Sequence, residues 1–236
     1  MQHHNVVIPR NRLIFVLMGM TASGKTTLAK GLSANPDLCL KKPITTTTRA
    51  PRPGETNGLD YHFCSRDVFM RLVASGDHFI EYSPKDIMQQ DPAQLPQQPC
   101  YGLSNHALLR VMHMGFDPII VLDYNGAIAL KEKYPEITHV FYLRFDPPHA
   151  LDYARENIRL DENIGINCAE RTNRLENEFF TKEIALFDDA SKKTTAIIVD
   201  SVPGELPRMM REVSEIIQTK QRALPPPKDM LEIERF

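Results

Sequence analysis

Gly19 to Thr26, reading GMTASGKT, fills every fixed position of the pattern G-x-x-x-x-G-K-[ST], whose residue types at that spacing suit the phosphates of a nucleoside triphosphate. Gly19 and Gly24 permit backbone conformations closed to other residues, so successive N–H groups from Thr21, Ala22 and Ser23 through to Thr27 can turn inward around phosphate oxygens. A helix starting at the end of the loop adds the partial positive charge of its N-terminus. Lys25 is then placed to reach the β- and γ-phosphates, and the Thr26 hydroxyl to take one coordination position on Mg²⁺.

A second group has the residue types needed to hold a smaller phosphate. Within Lys42 to Phe63, KPITTTTRAPRPGETNGLDYHF, Arg49 and Arg52 lie three positions apart around Pro51, and Pro53-Gly54 turns the chain directly after them. Guanidinium forks suit bidentate phosphate recognition, and neighbouring prolines reduce the entropy lost on ordering the loop. On these two residues alone, a solvated basic loop is the alternative. A third group lies further along: Arg155 and Arg159 are four apart, Arg171 is twelve beyond Arg159, and Arg174 is three further. Arg174 has Glu178 at i, i+4, the spacing of an ordinary helix-surface pair.

TTTTRAPRPGE, then Asp60-Tyr61-His62-Phe63, then Phe79-Ile80-Glu81, then Tyr101-Gly102, closely resembles the acceptor-binding segment of guanylate kinases, and the similarity runs from about the first strand to the helix near residue 216. The resemblance implies transfer of the γ-phosphoryl group of ATP to GMP, with Mg²⁺ as cofactor, in purine nucleotide metabolism. It implies that Arg49, Arg52, Tyr61 and Tyr101 bind the acceptor phosphate while Thr45, Glu81 and Asp123 face guanine. It also implies that Arg155, Arg159 and Arg171 belong to a lid that closes over the triphosphate and, with Lys25 and Arg49, form the catalytic set. Guanine chemistry agrees, because a carboxylate can accept from both N1–H and N2–H₂ and a hydroxyl can serve O6.

The chain departs from the family pattern at four places. Asp123 matches the second of two family aspartates, and Val121 stands where the first would be. Leu103 occupies the place of a guanine-contacting Ser or Thr, with Ser104 beside it as a substitute hydroxyl. Glu81 and Tyr101 are twenty positions apart, and the Pro-, Gln- and Asp-rich residues 84–99 read as an inserted surface loop. Residues 158–163, IRLDEN, replace the family's glycine-bounded arginine.

These groups require elements to position them. The coarse reading places strands at 12–18, 118–123, 138–145 and 194–200, alternating with helices at 25–34, 126–133, 147–159, 167–190 and 204–221. That alternation predicts an α/β fold of P-loop NTPase type, a parallel sheet flanked by helices. The expected organisation is one domain over 1–236: a core of 12–41 and 105–221, a small mixed acceptor-binding subdomain over 42–104, a helical lid over about 155–170 and a tail from 222. Within the subdomain, residues 68–73 suit a short helix.

A net charge of −2 over 236 residues gives no sign of nucleic-acid binding. Cys39, Cys64, Cys100 and Cys168 match no metal spacing and read as reduced thiols, which with the absence of a signal-peptide core and of any membrane-length apolar run predicts a cytoplasmic protein. No protein partner is specified for the inserted loop or the tail. Two other readings stay open: a related kinase with a different phosphorylated acceptor, raised by Val121, Leu103 and the insertion, and a non-catalytic binding module, against which the complete phosphate loop counts.

Overall fold

The computed structural model describes residues 11–51, 54–76, 79–83, 99–145, 149–163 and 179–224. Strand β1 (Ile14–Gly19) is wholly buried at the centre of a five-stranded sheet. It is flanked by β7 (Asp117–Val121) and β8 (Thr138–Arg144), with β2 (Leu40–Lys41) beyond β7 and β9 (Ile197–Asp200) beyond β8, all parallel.

Alternation along β1 explains its unbroken apolar run: Ile14, Val16 and Met18 enter one core cluster, Phe15 and Leu17 the other. Helices α3 (Asn105–His113), α4 (Tyr124–Lys133), α5 (Ala150–Asn163) and α6 (Phe179–Lys193) cover the first face through Leu108, Leu130, Ile158 and Phe187. The second face is covered by α1 (Lys25–Ala34) and α7 (Leu206–Arg222) through Leu28, Leu32, Val213 and Ile217. The expected parallel sheet between helices is therefore present, with shifted boundaries. The helix expected from 126 starts at Tyr124 because Asp123 caps it, and the strand expected from 194 starts at Ile197 because Thr194 N–H still bonds back to the Ala190 carbonyl. The helix expected over 147–159 runs from Ala150 to Asn163, and β2 joins the sheet edge without having been anticipated.

A separate four-stranded mixed sheet, order β4-β3-β6-β5, is formed by β3 (Thr46–Thr47), β4 (His62–Phe63), β5 (Phe79–Ser83) and β6 (Tyr101–Ser104). Helix α2 (Arg66–Ala74), capped by the Ser65 hydroxyl, packs Phe69 against Phe79 with ring centroids 4.8 Å apart. Gly102 lies under this pair, and a Cβ there would come within 2.6 Å of the Phe79 ring.

Asp117, buried at the start of β7, fastens the sheet end opposite the phosphate loop. Its Oδ1 accepts from the Leu13 N–H at 3.1 Å and its Oδ2 from Gln221 Nε2 at 2.8 Å, while Arg12 lies 3.8 Å away. Burial pushes its pKa up against the pull of these partners. Asp117→Ala is expected to remove about 2–4 kcal/mol of unfolding free energy, since it leaves buried donors without an acceptor. Asp117→Asn, which keeps an acceptor, loses less than half of that. Urea unfolding reads both, and an alanine variant as stable as the unchanged protein contradicts the clamp.

His139 on β8 stacks on Phe15 at 5.9 Å, and burial, with the charges of Lys220 and Lys131, lowers its pKa from 6.5 to about 4. The folded chain thus keeps the ring neutral, and between pH 6.5 and 4 only the unfolded chain takes up a proton. Stability from this residue is complete above about pH 6.5, falls as the pH drops towards 4 and levels off below, an expected loss of about 2 kcal/mol after allowing for its half-exposed position. The difference in urea midpoint between the unchanged protein and His139→Leu should show that slope. A pH-independent difference would contradict it.

Candidate active site

The phosphate loop links the C-terminal end of β1 to α1, at the point where the chain's neighbours diverge to β7 on one side and β8 on the other. Gly19 is required for space, since a Cβ there would meet the Leu143 carbonyl oxygen at 2.4 Å. Gly24 is required for conformation: it caps α1 at φ 81°, although a Cβ at this position would meet nothing within 4 Å. Ala22 also has positive φ, 65°, which costs a non-glycine residue roughly 1–2 kcal/mol.

Carbonyl oxygens of the loop are held by side chains. Lys25 Nζ donates to the Met20 carbonyl and lies 3.4 Å from Ser23 Oγ. Asn157 Nδ2, from α5, donates to the Ala22 carbonyl at 2.9 Å, and the buried Ser201 hydroxyl donates to the Ser23 carbonyl at 3.2 Å. The Ser23 N–H closes a turn onto the Met20 carbonyl at 3.2 Å. The amides of the first turn of α1, from Lys25 through Thr27, have no intrahelical acceptor and carry the helix's positive end, while Thr26 and Thr27 are exposed. Thr21 is half-buried at the loop's rim.

On the small sheet, the threonine run anchors the arginine that follows it. Thr47 Oγ1 donates to the Cys100 carbonyl at 2.9 Å and accepts from the Arg49 N–H at 3.2 Å, while Thr48 Oγ1 accepts from the Cys100 N–H at 2.8 Å. The Arg49 guanidinium forms a fork with both Glu55 oxygens at 2.9 Å and donates to the Ala50 carbonyl at 2.8 Å. It lies 5.4 Å from the Tyr61 ring centroid, and Tyr61 and Tyr101 are 6.2 Å apart. Glu55 holds Arg49 more firmly protonated than usual, whereas burial, reinforced by Tyr101, pushes the Tyr61 hydroxyl up. Arg49, Tyr61 and Tyr101 thus form one cationic and hydroxyl-bearing cluster.

Thr45 is half-buried just before β3, its carbonyl accepting from the His62 N–H at 2.8 Å. Glu81 pairs with Leu103 across β5 and β6. Leu103 is buried, packed in the core cluster that includes Met18 and Met20. Ser104 lies on the opposite face of β6 and its hydroxyl caps α3, accepting from the Ala107 N–H at 3.1 Å. The oxygen of the substitute hydroxyl expected there thus caps the helix while its O–H remains a donor, and it faces away from Leu103 because the alternation of a strand sends adjacent residues to opposite faces. Asp123 likewise spends Oδ1 on the Gly126 N–H, at 2.8 Å.

Arg155 and Arg159 stand exposed on α5, paired with Asp152 at 3.9 Å and with Glu156 at 2.6 Å. In this conformation they are helix-surface cations. The helix continues through 158–163, where a glycine-bounded arginine was expected to be replaced. Arg52, Arg171 and Arg174, Cys168, residues 84–98 of the insertion and the tail from 225 lie outside the described residues. Cys39, Cys64 and Cys100 are free thiols.

Four contributors had no role in the sequence reading. Glu55 sits inside the quoted motif, six residues from Arg49, so its pairing was accessible from charge and spacing. Lys42 stands at the head of that segment; although the side chain as a whole is exposed, its ammonium shelters 4.8 Å from the Tyr61 ring centroid, and loss of solvent lowers its pKa against the pull of Asp60. Asn157 and Ser201 reach the loop from 135 and 178 residues away, and no local pattern marks them.

A parallel α/β sheet with a complete phosphate loop at the end of its central strand, beside a small mixed sheet bearing the Arg49–Tyr61–Tyr101 cluster, defines an α/β protein of P-loop type. The guanylate kinase family model matches residues 11–195, and the chain belongs to that family. The guanylate kinase of Alkalilimnicola ehrlichii is 34% identical over 146 residues, 62% of each chain, and that of Thiobacillus denitrificans is 31% identical over 131 residues, 56% of each chain. The alignments thus span only 56% to 62% of these relatives' length. The crystal structure of guanylate kinase from Anaplasma phagocytophilum has the same fold, with a TM-score of 0.60 at 21% identity over 91% of this chain and 89% of that one. Among the described residues no helix is long and apolar enough to cross a membrane.

Proposed function

We propose that the protein transfers the γ-phosphoryl group of ATP to GMP, giving ADP and GDP. The observation that carries this reading is the pairing, in one chain of this family, of an intact phosphate loop with the Arg49–Tyr61–Tyr101 cluster on a separate sheet. An oxygen of the acceptor phosphate attacks the γ-phosphorus, the bond to the β–γ bridging oxygen breaks, and ADP leaves with that electron pair. Lys25 and the first-turn amides of α1 hold the donor phosphates, and Arg49, Arg52, Tyr61 and Tyr101 aim the acceptor oxygen. Arg155 and Arg159 exchange their surface positions for the triphosphate as the lid closes, with Arg171 as the third cation of that set, excluding water. Thr45, Glu81, Asp123 and the close-packed backbone at Gly102 form the base end of the site.

Mg²⁺ fits the residues present. Among the described residues there is no cluster of three His, Cys, Asp or Glu side chains, and Mg²⁺ held mainly by nucleotide phosphates and water needs only the exposed Thr26 hydroxyl beside the loop. When bound it would supply charge neutralisation to the donor phosphates, with Thr26 as its protein ligand. The free thiols Cys39, Cys64 and Cys100 suit a reducing, cytoplasmic setting.

Leu103 favours one variant of this reading: the same transfer with a less strictly read base, since an apolar side chain stands opposite Glu81. ADP release with ATP, Mg²⁺ and each of GMP, dGMP, AMP, CMP and UMP tests both. Turnover with guanine nucleotides alone supports strict selection. Comparable turnover with AMP supports the relaxed site, and no acceptor-dependent turnover defeats the proposal.

A further inference from the structure

The loop carbonyls are tied to elements of different kinds. Ser201, at the end of β9, belongs to the rigid sheet end, but Asn157 lies on α5 between Arg155 and Arg159, the two cations assigned to the lid. Its amide donates to Ala22, the loop residue held at φ 65° without being glycine. We propose that Asn157 is a positioning residue that couples α5 to the phosphate loop, so that donor binding in the loop and placement of Arg155 and Arg159 bias one another. The inference rests on the phosphotransfer reading above.

The physical argument has two parts. A left-handed alanine relaxes readily unless its carbonyl is restrained, and relaxation that turned this carbonyl inward would set an oxygen against the phosphates. The restraint exists only while α5 stays within hydrogen-bond reach, because a displacement of about 1 Å takes a 2.9 Å contact beyond useful length. Whatever orders the loop therefore favours one position of the helix, and the coupling is reciprocal. Ile158, the next residue, is buried in the core, so α5 turns about a fixed apolar edge with Asn157 near that edge.

The test uses the full chain with Asn157→Leu, close in size but without a donor, and Asn157→Ala. Without nucleotide, hydrogen exchange at residues 20–26 and along α5 should quicken about fivefold in both, the size expected for one lost hydrogen bond. Ser201→Ala should quicken the loop and leave α5 unchanged. The Kd for Mg·ADP should rise about fivefold in the Asn157 variants while that for GMP stays within twofold. Added ADP should slow exchange on α5 in the unchanged protein and not in the variants. Exchange on α5 unaffected by Asn157→Leu overturns the coupling, as does uniformly faster exchange throughout the chain with equal losses of ADP and GMP affinity, the mark of a merely structural role. Failure of the unchanged protein to bind Mg·ADP overturns the donor reading itself, whatever the nucleotide-free exchange shows of the link.

Discussion

Lys25→Ala lowers turnover by about a hundredfold or more while the protein stays folded. Lys25 opens α1 directly after Gly24, and its ammonium rests against the Met20 carbonyl beside Ser23. Phosphoryl transfer moves negative charge onto the β–γ bridging oxygen, and a cation fixed by the loop stabilises that charge without reorganising solvent. The side chain supports no core packing, so the loss falls on kcat rather than on stability. Steady-state kinetics with thermal unfolding as control make the comparison; activity within tenfold of the unchanged protein would remove Lys25 from the mechanism.

Arg49→Ala is the second large expected effect: kcat/KM for GMP falls about a hundredfold or more, whereas KM for ATP changes by less than about threefold. The Arg49 side chain is 15% exposed, its guanidinium forked onto Glu55 and set over Tyr61 and Phe63. Removing it also strands Glu55, at 20% exposure, so about 1–3 kcal/mol of stability goes with it. Arg49→Lys separates the two effects, because a point charge still pairs with Glu55 but offers no planar fork to a phosphate. Stability should largely return in that variant and GMP turnover should not. A KM rising equally for both substrates would show that Arg49 does not distinguish acceptor from donor.

The fold and the donor half of the site were legible because their signals are local. The β1 run, the glycines of the loop and the apolar period of α1 lie within twenty-one residues, Ile14 to Ala34, and each constrains the backbone directly. Strand and helix ends shifted where a capping residue took over, as at Asp123. At Ser104 the residue type marks a hydroxyl, but strand alternation and the start of α3 decide which way it points and give its oxygen the Ala107 N–H to accept from. Val121 ends β7, as the apolar run of that strand implies, whereas the burial of Leu103 among Met18 and Met20 depends on how the two sheets meet.

By itself, then, the sequence determined a phosphate-loop motif on a parallel sheet and the arginine-bearing segment proposed to hold the acceptor, since these follow from residue types over short spacings. Only the tertiary structure decided what holds them in shape. Asn157 reaches Ala22 across 135 residues, Ser201 reaches Ser23 across 178, and Asp117 reaches Leu13 across 104. Each partner is chosen by the strand order β2-β7-β1-β8-β9, which brings distant chain ends beside β1. Hydrogen bonds act over about 3 Å, so their partners are set by that packing and leave no mark on the residues adjacent in sequence.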